Sequence, residues 1–120
     1  MKSPLESETR TQSALSGESC VSLLAQSFPG VAPLRIPVRL TALRKGGRMR
    51  KENVVIEFGT ASEVLFASAL PLEFDDRVRL ENSDGSLDVE ASVVAVRYHD
   101  GRRAVAARFS TKVVNWLIQP

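Results

Sequence analysis

From residue 35 onward, apolar and polar positions alternate in short runs separated by turn residues, which is the period of half-buried β-strands. In Arg35 to Leu43, Ile36, Val38 and Leu40 fall on one side, with Arg35, Arg39 and Thr41 on the other. Pro37 has no N–H to donate, which places it at a strand start or an edge. Asn53 to Phe58 (NVVIEF) predicts a second strand and Val64 to Ser68 a third. In a fourth, Asp76 to Glu81, Val78 and Leu80 point inward and Arg77 and Arg79 outward. A long valine-rich run from Leu87 to Tyr98 predicts the fifth. In the sixth, Arg103 to Phe109, Val105, Ala107 and Phe109 alternate with Ala104, Ala106 and Arg108. The connections carry turn chemistry at Gly46-Gly47, Asn82 to Ser86 and His99 to Arg102, and a polar crossing at Gly59 to Glu63. Thr111 to Ile118 predicts one or two helical turns laying Val114, Trp116, Leu117 and Ile118 on the sheet. Six short strands and a terminal helix make an all-β fold, a six-stranded antiparallel barrel that hides its edges by closure.

Residues 1–33 are a different material. Seven serines, at positions 3, 7, 13, 16, 19, 22 and 27, are mixed with Glu, Thr, Gln and Gly, too polar to offset the entropy of ordering. They predict a flexible tail, with the folded domain spanning 34–120. One apolar island, Val21 to Phe28 (VSLLAQSF), interrupts it; Leu23, Leu24 and Phe28 could share a helical face and dock on the domain or a partner.

Composition narrows the function. A net charge of +2 is too small to imply nucleic-acid binding, so a cationic effect must be local. No run of 18 apolar residues exists to insert in a membrane, and MKSPLESETR lacks the apolar core of a secretory signal, so a cytoplasmic protein is expected. Catalytic equipment is thin: one histidine, His99, in a turn, and one cysteine, Cys20, in the tail. Asp75, Asp76 and Asp84 sit in turns, where aspartate caps the backbone, and no zinc or phosphate-loop spacing occurs. A non-enzymatic protein without a resident cofactor or metal is expected. Two basic features remain. Arg44 to Lys51 holds five cations in eight residues but no aromatic for stacking on bases, and reads as a solubilising hairpin. Arg35 and Arg39, four apart in an extended segment, face one side about 13 Å apart and could address one multi-phosphate ligand, or be solvated.

The order of segments resembles the PilZ domains, small bacterial barrels that bind cyclic di-GMP. The resemblance runs over 34–109: RIPVRL, a polar crossing into VLFAS, Pro71-Leu72 with DRVRL, EASVVAV, and DGRRAVAARF to Phe109. It implies a six-stranded barrel with a C-terminal helix, and a ligand held by an R-x-x-x-R switch segment and a D/N-x-S-x-x-G motif. Arg35 and Arg39 have the first spacing, although RIPVRL also resembles the strand after the switch, which would then fall near 29–34. For the second motif, one register puts Phe58, Thr60 and Glu63 at the acid, serine and glycine positions; the other puts Thr60, Ser62 and Leu65 there. The resemblance thus implies a nucleotide receptor using Arg35, Arg39, Thr60 and Ser62 and relaying to a protein partner. The departures at Phe58 and Glu63 imply the alternative, a degenerate domain that acts as a protein-interaction module, with Trp116 as a candidate contact.

Overall fold

A computed structural model describes residues 20–43 and 48–111. Residues 1–19, the Gly46-Gly47 tip and the expected helix around Trp116 lie outside the described residues. The alternating runs become β1 (Ala32–Leu43), β2 (Arg50–Gly59), β3 (Glu63–Ser68), β4 (Arg77–Glu81), β5 (Asp88–His99) and β6 (Arg102–Phe109). All neighbours are antiparallel, and the sheet closes on itself in the order β1-β2-β3-β6-β5-β4. The expected six-stranded antiparallel barrel is therefore present. Its interior is filled by the inward set of each strand, with Leu40, Ile56, Phe66, Leu80, Val93 and Val105 nearly or wholly inaccessible.

Closure explains the position of Pro37. β1 pairs with β2 over 32–42 but with β4 only over 39–43, so Pro37 lies where β1 has a strand on one side alone. Two bulges aim side chains. An extra residue in β2, between the pairs Ile56↔Phe66 and Phe58↔Leu65, turns Phe58 out of the interior. A second in β5, between Val93 and Ala95, does the same for Ala95, which joins Val94 on the outside. The β5–β6 connection is a two-residue loop with Asp100 at φ 51° and Gly101 at φ 79°, the type I′ geometry that matches strand twist.

The largest departure from expectation is at residues 20–33. Composition places this stretch in the flexible tail, with docking of its apolar island on the domain as one alternative; the structure builds it onto the barrel. Cys20–Ala25 forms a helix, α1, whose Cys20, Val21, Leu24 and Ala25 are buried. The turn Phe28–Val31, closed by a Val31 N–H to Phe28 carbonyl bond with Gly30 at φ 77°, then feeds β1, which starts at Ala32, three residues ahead of the expected Arg35. The reason lies in β3 and β6: their outward positions Leu65, Ala104 and Ala106 are apolar and need a cover. The two alanines leave room for the helix to approach closely. The apolar island at Val21 to Phe28 thus docks on the domain through Cys20, Val21, Leu24 and Ala25 with Phe28 beside them, whereas Leu23, expected on the same face, is exposed.

Candidate ligand site

The crossing between β2 and β3 is a tight turn held by its own side chains. The Thr60 N–H donates to the Glu63 carbonyl at 2.9 Å. Thr60 Oγ1 accepts the N–H groups of Ser62 (3.2 Å) and Glu63 (3.0 Å), and its hydroxyl donates to Glu63 Oε1 at 3.0 Å. Glu63 Oε2 accepts Arg108 Nε at 3.1 Å and Nη2 at 2.7 Å, a two-pronged contact between residues brought together by the β3–β6 ladder. The glutamate side chain is only 14% exposed and the arginine 57%. Ser62 is exposed, and its carbonyl accepts the Phe109 N–H.

Arg35 and Arg39 are both exposed on the outer face of β1, as the alternation predicts. They serve different surroundings. Arg35 lies level with the β2 bulge, where Glu57 is half-buried. Burial raises the Glu57 pKa, and the positive charges of Arg102 and Arg35 partly oppose the rise. Arg39 pairs in register with Asn53 on β2 and Glu81 on β4. It lines an open groove of about 470 Å³ together with Pro37, Asn53, Val55, Glu81 and Ser83. Asn53 is six positions from Gly59 along β2, so Arg39 stands about 20 Å from the 60–63 turn. The fold thus brings Thr60 and Ser62 together, sets Arg35 nearer to them and leaves Arg39 at a separate groove.

Three participants escaped sequence reading: Glu57, Arg102 and the Glu63–Arg108 pair. Glu57 looks like an ordinary polar position of NVVIEF until the bulge redirects it. Arg108 is 45 residues from Glu63, and only the identity of β3's partner strand could have joined them. Among the described residues, no group of three or more His, Cys, Asp or Glu side chains could hold a metal ion. Cys20 is a buried residue of α1, and no described helix is long and apolar enough to cross a membrane. Compared with known proteins, the chain matches no family model and no curated protein sequence.

Proposed function

We propose that this chain is a PilZ-like, non-catalytic signalling barrel whose nucleotide site has been closed by its own side chains, and that it acts as a protein-interaction module. The observation that carries this reading is Glu63. It stands where one register of the family motif has glycine, and its carboxylate takes up the Thr60 hydroxyl and the Arg108 guanidinium. A cyclic dinucleotide at this turn would face that carboxylate, and Phe58, packed toward α1, offers its guanine no acceptor. One missing acceptor at a desolvated polar edge costs about 1–3 kcal/mol.

The second reading, a cyclic di-GMP receptor relaying to a protein partner, is favoured by one feature. Arg35 and Arg39 are exposed on the same face of β1, and neither forms an ion pair with a described carboxylate at contact distance. Calorimetric titration with cyclic di-GMP separates the two. The first reading expects no heat of binding up to about 1 mM ligand. A dissociation constant near or below about 1 μM, abolished by Arg35→Ala with Arg39→Ala, would overturn it and establish the receptor.

A further inference from the structure

Antiparallel order puts six strand termini at the end of the barrel opposite the 60–63 turn. They are the last residues of β1, β3 and β5 and the first of β2, β4 and β6. Four large apolar side chains are exposed among the described residues: Leu23 on α1, Met49, Phe74 and Tyr98. The last three, exposed by 59%, 72% and 65%, all belong to this end. Met49 immediately precedes β2, Phe74 sits in the loop leading into β4, and Tyr98 lies near the end of β5, with the Arg103 guanidinium 5.4 Å from its ring centre. Aromatic residues, methionine and arginine are the side chains that protein contact surfaces favour.

Charge at this end is grouped: cations stand on the β2 side and again at the β5–β6 turn, where Arg97, Arg102 and Arg103 accompany Asp100, and an acidic loop lies between the two groups. Arg48, Arg50 and Lys51 line the β2 side, and no described carboxylate forms an ion pair with them. The one acid beside them, Glu52, is committed elsewhere: its two oxygens accept the Ser68 hydroxyl at 2.6 Å and the Ala69 N–H at 2.9 Å. Glu73, Asp75 and Asp76 flank Phe74 in the loop, which is anchored by the bond from the Asp75 N–H to the Val93 carbonyl. Because Leu43 pairs with Arg77, the acidic loop lies directly beside the basic side. Elsewhere on the barrel wall opposite charges are already joined, as in Arg79–Asp88 and Arg108–Glu63.

We infer that this end is a self-complementary surface for a second copy of the chain, paired about a two-fold axis. Rotation through the axis sets the acidic loop of one copy, with Phe74 in it, on the basic side of the other, twice over. This is the isologous arrangement that a patch carrying both signs side by side permits. An anionic membrane or a nucleic acid would meet Glu73, Asp75 and Asp76 as well as the cations, which disfavours both. The inference holds whether or not a nucleotide binds at the opposite end.

Sedimentation equilibrium on the full chain tests it. A concentration-dependent dimer is expected that weakens as salt is raised. Phe74→Asp, at an exposed site, should weaken it by more than about tenfold by burying an unpaired charge. The charge-reversed variants Arg50→Glu with Lys51→Glu, and Glu73→Lys with Asp75→Asn, should each be monomeric and form a dimer when mixed. Asn is chosen at 75 because φ there is 74°, a conformation Asn tolerates. A wild type that stays monomeric to its solubility limit would overturn the inference. So would a dimer unchanged by these substitutions, or a monomer that co-sediments with vesicles containing phosphatidylglycerol.

Discussion

Replacing Glu63 with glycine tests the reading of the 60–63 turn from both sides, because the residue is argued to stabilise the turn and to exclude the ligand. The substitution removes the Thr60–Glu63 side-chain hydrogen bond, worth about 0.5–1.5 kcal/mol. It also removes the contact with Arg108, which is discounted to about 0–1 kcal/mol because the arginine is more than half exposed. Glycine at the first residue of β3 adds about 0.5–1 kcal/mol of chain entropy. The expected loss is about 2 kcal/mol, a fall in thermal midpoint of roughly 10 °C for a domain of this size. In return, removing the like charge that faces an anionic ligand should gain cyclic di-GMP about one to two decades in affinity, with the Phe58 penalty still in place, and make binding measurable by calorimetry at roughly 10–100 μM. Glu63→Gln, which keeps an acceptor for Thr60 and the strand backbone but not the charge, should cost less than half as much stability. A Glu63→Gly protein that melts with the wild type, or that still ignores the nucleotide, would refute the argument that this carboxylate holds the turn closed.

Three further substitutions probe other parts of the fold. Leu24→Ala should destabilise the protein by about 1–3 kcal/mol in urea titration. That is less than a central core truncation, because α1 can lift away and expose Leu65, Ala104 and Ala106. Gly101→Ala should cost about 1–2 kcal/mol by the same measurement, since φ is 79° there although nothing crowds the added methyl. Glu57→Gln should change the pH dependence of stability. A carboxyl whose pKa is raised by folding binds more protons native than unfolded, so its contribution falls as pH rises from the unfolded value, about 4.3, through the raised one. The wild type should therefore lose stability relative to Glu57→Gln across that window. The opposite slope would mean that Arg102 and Arg35 outweigh burial.

Local alternation was enough to read the barrel. The third, fourth, fifth and sixth strands begin and end within a residue or so of the bounds their alternation predicts, because side-chain period and turn chemistry are properties of neighbouring residues. The Asp100-Gly101 turn is the clearest case. What could not be read depends on residues distant in the chain. Nothing near Val21 or Leu24 announces that Ala104 and Ala106 are small enough to receive them. The bulge beside Glu57 follows from the register against β3, not from the composition of NVVIEF. Arg35 and Arg39 have a suggestive spacing, yet their grouping with Thr60 and Ser62 rested on segment order alone. The lengths of β1 and β2 carry Arg39 away from the turn.

The strand order has a consequence for how the chain can be made. β3 finds its second neighbour only in β6, and β4 only in β5, so the hairpin of β5 and β6 fills the gap between two strands formed earlier in the chain. As the polypeptide emerges during synthesis, β3, β2, β1 and β4 can assemble as an open sheet with two bare edges. Any such sheet keeps both edges bare until β6 is available to close it. The Asp100-Gly101 turn lets the missing hairpin form quickly by itself, so that the barrel is sealed by one preassembled piece and its sticky edges are exposed for the shortest time.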